Sequence, residues 1–130
     1  MSTSGLLRFV LAAGVLAAAA VMSARPGAEA ASYNCAKAKT PDEIAICVNP
    51  ALSDLDTQMA TLYGVRMQIP MLMGARGAAQ DEQRTFLALR SSCGANVACI
   101  KTVYQQRIAV LSQIIAVAMQ DYCVKLGICG

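Results

Sequence analysis

The side chains of this sequence that could do chemistry are six cysteines, eight carboxylates and seven methionines; there is no histidine and no tryptophan. Without imidazole there is no Ser-His-Asp or Cys-His catalysis, no Cys2His2 zinc site and no switch of charge near neutral pH. The cysteines stand at 35, 47, 93, 99, 123 and 129, with no Cys-x-x-Cys spacing that would gather a metal, so neither metal nor cofactor is expected. Cys123 and Cys129 could form a redox pair, but no flanking base lowers a thiol pKa there. Six of the eight carboxylates fall in close pairs, Asp42-Glu43, Asp54 with Asp56, and Asp81-Glu82. Paired carboxylates hydrolyse glycosides. Each pair also suits the first turn of a helix, where the dipole favours acids. With two Phe and no Trp there is no aromatic platform for a sugar, and no catalysis is expected.

The compartment decides how to read the cysteines. Residues 9–22 (FVLAAGVLAAAAVM) are a continuous apolar run after Arg8, and Ala28-Glu29-Ala30 is an Ala-x-Ala site. This is the layout of a secretory signal, residues 1–30, with cleavage expected after Ala30. A membrane-spanning helix needs about 20 apolar residues, more than this run offers. No lipobox precedes Cys35, so a soluble periplasmic or secreted chain of residues 31–130 is expected, with no membrane contact after cleavage. Removing Arg8, Arg25 and Glu29 lowers the net charge from +3 to +2, and the basic residues form no run. No nucleic-acid partner is expected. All six cysteines lie beyond residue 30, which in an oxidising compartment reads as a disulfide framework. Six cysteines allow 15 connectivities. Local pairing, 35–47, 93–99 and 123–129, is preferred because each loop is short.

The positioning elements follow from caps and apolar spacing. Thr40-Pro41-Asp42-Glu43 is a capping box with Pro at the first helical position, opening a short helix that ends near Cys47. Asn49-Pro50 starts a second, carrying Leu52, Leu55, Met59, Leu62 and Ile69 at helical spacing and ending at Pro70. Residues 70–78 (PMLMGARGA) read as a loop or a broken helical turn, with two Gly, the apolar residues Met71, Leu72 and Met73 exposed, and Arg76 as its one charge. A third helix is expected to begin at Asp81-Glu82, turn Phe86 and Leu87 inward, and stop at Cys93-Gly94. Asn96 caps a fourth, with Ile100, Val103, Tyr104, Ile108, Leu111, Ile114, Ile115 and Ala118 as its stripe. Residues 122–130 read as a small loop tied by its two cysteines. No strand alternation competes. The fold class expected is all-α, one small bundle of about four helices closed by disulfides.

Several polar side chains sit where apolar ones are expected. Arg107 lies inside the stripe of the fourth helix, Asp56 borders that of the second, and Gln83 and Arg90 share the Phe86 face of the third. A charge so placed must reach solvent or find a partner. Asp56 is expected to pair with Arg107 or Arg84.

Taken in order, these residues form a series. Asn34-Cys35-Ala36-Lys37-Ala38-Lys39-Thr40-Pro41-Asp42-Glu43-Ile44-Ala45-Ile46-Cys47 resembles the opening of the lysozyme inhibitor LprI-like family. Leu52, Leu55-Asp56 and Leu62-Tyr63 are similar to that family's second helix. Gln83-Arg84-Thr85-Phe86-Leu87, Arg90 and Cys93, followed by Cys99, Tyr104, Arg107 and Leu111, are similar to its closing pair. The resemblance spans about residues 33–112. It implies a disulfide-linked helical domain of the bacterial envelope, which in the family's namesake inhibits lysozyme by binding it. Phe86 stands where the family usually has Trp, Pro70 and Gly74 interrupt a region usually helical, and the Cys123/Cys129 tail lies outside the pattern. The implied partner is a protein, c-type lysozyme, with its cleft occluded. Arg66, Met71, Met73 and above all Arg76 are the candidate contacts, Arg76 facing the enzyme's catalytic carboxylates. At +2 the chain gains nothing from net-charge steering toward a basic enzyme. The alternative is an envelope interaction or stress protein with a different protein partner. Oligomeric state is left open.

Overall fold

Three of the four α-helices, α1, α2 and α4, begin where local side chains satisfy the first amides. The computed structural model describes residues 31–129, and the expected signal segment lies outside them. A 3-10 turn at Cys35–Lys37 leads into α1, Pro41–Val48. The Glu43 carboxylate accepts from the backbone N–H of Lys39 at 2.8 Å and of Thr40 at 3.2 Å, the reciprocal half of the capping box. α2, Pro50–Gln68, is capped by Asn49 accepting from Leu52 N–H, and α4, Val97–Leu126, by Asn96 accepting from Cys99 N–H. Gly94, at φ 54°, takes the left-handed position after α3 that a side chain would resist.

Three expectations about elements are corrected. α3 runs Met73–Ser92, so most of the segment read as a loop is helical and Asp81-Glu82 lie two turns inside it. Leu72 occupies the cap position without a side-chain hydrogen bond, which is why composition does not announce this start. The first turn is fixed instead by tertiary contacts: Arg76 Nη1 donates to the Met67 carbonyl at 3.1 Å, and Ala79 is fully buried. Leu87 is exposed rather than inward, leaving Phe86 as the core residue of that turn. The tail is helical through Leu126 and is closed by Gly127 in the left-handed region.

Two four-residue connections fold α2, α3 and α4 up-down-up, so α2 and α4 run the same way, and α1 crosses their starting end. The broadest packing is α2 against α4. The core draws Ile46 from α1, Leu52 and Met59 from α2, Phe86 from α3, and Ile100, Tyr104 and Leu111 from α4. Each buried aliphatic contributes about 1.5–3 kcal/mol. The Phe86 ring meets Tyr104 edge-on at 5.3 Å. The all-α bundle is the expected class. The disulfides pair locally, Cys35 with Cys47, Cys93 with Cys99 and Cys123 with Cys129.

Candidate functional site

Inside the bundle, four polar side chains from four helices meet. Asp42 (α1) and Asp56 (α2) are each 1% exposed, Tyr104 (α4) is fully enclosed, and Arg90 (α3) is buried beside them. Arg90 Nε donates to Asp42 Oδ2 at 2.8 Å and its Nη1 to the Tyr104 hydroxyl at 3.2 Å, 3.9 Å from Asp56 Oδ1. The Tyr104 hydroxyl donates to Asp56 Oδ1 at 2.7 Å. The backbone N–H of Ser32 donates to Asp56 Oδ2 at 2.6 Å. Tyr33 lays its ring 6.0 Å from the Arg90 guanidinium and donates its hydroxyl to the Glu43 carbonyl.

The surroundings tune these groups. Burial pushes the Asp42 carboxyl up, but the Thr40 hydroxyl and the Arg90 guanidinium outweigh it and hold it below its ordinary value. Burial works against the Arg90 charge, and Tyr104 and Asp42 more than restore it. Burial raises Tyr33 to about 12, and burial with the Asp56 carboxylate raises Tyr104 still further. Among the described residues, Asp42 Oδ1 makes no hydrogen bond. An enclosed network of this kind keys helices into one register. It presents no open pair of carboxylates to a substrate.

Asp56 therefore pairs with Tyr104 and Arg90, not with Arg107 or Arg84 as its sequence position suggested. Arg107 grips Gln83 Oε1 through Nε at 3.3 Å and Nη2 at 3.2 Å, and reaches Glu82 at 3.4 Å. Gln83 in turn donates to Met59 Sδ at 3.4 Å. Arg84 is exposed and pairs with Asp81 on its own helix. The reason is geometric. Asp56 and Arg107 are adjacent rungs along two parallel helices, and Arg90 fills the gap between Asp56 and Asp42. Arg90 lies on the Phe86 face that the sequence marks as inward. Asp42 went unrecognised as a core residue, although it shares an i, i+3, i+4 stripe with Ala45 and Ile46.

The candidate contact residues separate. Arg66 is a correction: it is buried and its Nη1 bonds Glu82 at 2.5 Å, so it offers nothing to a partner. That bond outweighs burial, which pushes the Glu82 carboxyl up, and holds it below its ordinary value. Arg76 is half-buried and committed to the Met67 carbonyl. Met71 is half-buried, whereas Leu72 is 85% exposed and Met73 90%. These three occupy the turn at the end toward which α4 runs. There α4, at 30 residues, outlasts the 19-residue α2, and its last turns expose Val117, Met119, Val124, Leu126 and, beyond it, Ile128. Only Asp121 and Lys125 are charged between 112 and 128. α4 is also long and apolar enough, by length and composition, to cross a membrane. On the flank of the bundle, a groove of about 620 Å³ runs between α3 and α4, walled by Phe86, Leu89, Val103, Val110 and Ile114 with Glu82 and Arg107 at its edge. Comparison with protein-family models, curated proteins and solved structures finds no match.

Proposed function

We propose that the chain is an exported, non-catalytic binding protein that acts, like the lysozyme inhibitors its sequence resembles, by covering the cleft of a c-type lysozyme in the periplasm or outside the cell. The observation that carries the binding reading is the apolar end of the bundle. Leu72 and Met73 stand almost fully exposed on the turn, beside a helix end whose large side chains face solvent. Isolated exposed apolar residues are ordinary; a cluster at one end of a cross-linked scaffold reads as a contact surface. Occlusion needs rigidity and shape, and no reactive group. The scaffold supplies the first through three disulfides and the keyed interior.

In this reading the contact lies away from the expected arginines. The arginines singled out at 66 and 76 are spent on internal bonds. Recognition through this end is hydrophobic, with Leu72 and Met73 as its anchors. That same character favours the second reading, an envelope protein with a different protein partner, because the end carries no row of acids to match a basic enzyme. The deciding experiment is lysis of a sensitive cell suspension by c-type lysozyme with the oxidised, processed chain added. Dose-dependent protection near stoichiometric ratio, lost on reduction, supports inhibition. Absence of protection at large excess transfers the reading to the other partner.

A further inference from the structure

The buried cluster around Arg90 is one cation short. It holds two carboxylates, Asp42 and Asp56, and one guanidinium, with Tyr104 and Tyr33 neutral. The other charged groups nearby are already engaged: Glu43 on α1 faces the Lys39 and Thr40 amides, and Arg107 on α4 faces Gln83 and Glu82. Leaving a net negative charge enclosed costs several kcal/mol unless something positive approaches. The chain itself enters the domain at this place. Ser32 N–H lies 2.6 Å from Asp56 Oδ2, and Ala31 packs half-buried against the core. Consecutive residues are spaced by about 3.8 Å, so the nitrogen of Ala31 is one step from the Asp56 carboxylate. Ala31 is also the residue that follows Ala28-Glu29-Ala30.

We propose that cleavage after Ala30 creates an α-ammonium on Ala31 that binds Asp56 and neutralises the buried cluster, so that the domain reaches full stability only once processed. The cut is hydrolysis by an endoprotease of the signal-processing class. Water supplies the oxygen of the new Ala30 carboxylate, and both of its protons end on the Ala31 nitrogen, which passes from an amide N–H to an ammonium. Before the cut that nitrogen is a neutral amide with a single N–H. Afterwards it carries a charge and three donors, the stronger kind of partner for a carboxylate. The precursor is thereby the less stable form, which suits a chain that must cross a membrane unfolded. This inference rests on the reading that the chain is exported and cut after Ala30, and is independent of the partner's identity.

The test uses the full chain made in a host with an oxidising envelope. The mass of the envelope protein reports its first residue. The processed protein is then compared with the same protein acetylated at its α-amine, by denaturant unfolding across pH. An amine paired in the folded state contributes fully below its unfolded pKa of about 7.7–8.0, and the contribution fades as pH rises through the higher folded value. The expected result is a mass beginning at Ala31. At pH 7 the acetylated protein should show an unfolding constant about tenfold larger, with the gap closing at alkaline pH and absent in Asp56→Asn. Should Asp56→Asn fail to fold, the pH dependence of the gap carries the test. Equal stability of the free and acetylated proteins at pH 7 overturns the proposal with the export reading intact. An envelope protein that begins elsewhere overturns the proposal together with the expected cleavage after Ala30.

Discussion

Arg90 is the side chain on which the interior turns. It serves two carboxylates from two helices and a phenol from a third. Arg90→Leu leaves Asp42 and Asp56 enclosed without their cation, and is expected to cost about 3–5 kcal/mol in urea unfolding. The phenols give a second observable. Tyr33, raised to about 12, and Tyr104, raised further, bind their protons more tightly folded than unfolded. Stability therefore falls as pH climbs above about 10, where unfolded tyrosine ionises. Phenolate absorbance should show Tyr33 withheld until pH nears 12, and Tyr104 withheld beyond it, unless the chain unfolds first. At the acid side the sign reverses. Asp42 and Glu82 have lowered folded values, so their contribution is present above about pH 4 and is lost as pH falls through the folded pKa. Circular dichroism against pH checks both limits. Residue types that do not belong on an apolar face were legible at Arg90, Arg107, Asp56 and Gln83. Which one meets which was not, because Asp42 and Arg90 are 48 residues apart and only the packed helices bring them together.

At the scale of elements, starts written into local chemistry were legible. Thr40-Pro41 with Glu43, Asn49-Pro50, Asn96 and Gly94 each satisfy their own backbone within a few residues. The start of α3 was not, since Leu72 caps nothing and Gly74 and Gly77 argue against a helix. The Arg76 bond to Met67 and the burial of Ala79 override that local preference. The tail failed for a similar reason: a cysteine pair six residues apart suggested a loop, yet one helical turn and a left-handed Gly127 bring the two together. The cross-links differ in consequence. Cys93–Cys99 closes the α3–α4 turn beside the core, and replacing both by Ser is expected to cost about 2–3 kcal/mol in thermal unfolding. Cys123–Cys129 hooks a helix end that packs on no other helix core residue. Its removal should change stability by no more than about 0.5 kcal/mol.

At the scale of the whole molecule, stability and recognition occupy opposite regions. The keyed network and the two core-side disulfides gather where α1 crosses the bundle. The two most exposed large apolar residues, Leu72 and Met73, lie at the other end with the apolar overhang of α4, while Val48 and Ile44 on α1 are exposed singly. Sequence pattern placed the apolar residues 71–73 near that surface but singled out Met71, which is half-buried, and Met73 rather than Leu72 as contacts. It also overvalued Arg66 and Arg76, whose partners are internal and distant along the chain. A charge on a presumed loop invites a functional reading that only the fold can withdraw. Substitutions at Leu72 and Met73 remove exposed groups and should leave unfolding unchanged. The most direct measurement is therefore calorimetric binding of c-type lysozyme to the processed protein and to Leu72→Ser/Met73→Ser, each verified folded by circular dichroism. The account expects near-stoichiometric binding by the first and a loss of about tenfold or more in affinity by the second, with weak dependence on salt. Unaltered affinity in the double variant, or no binding by either protein, would contradict it.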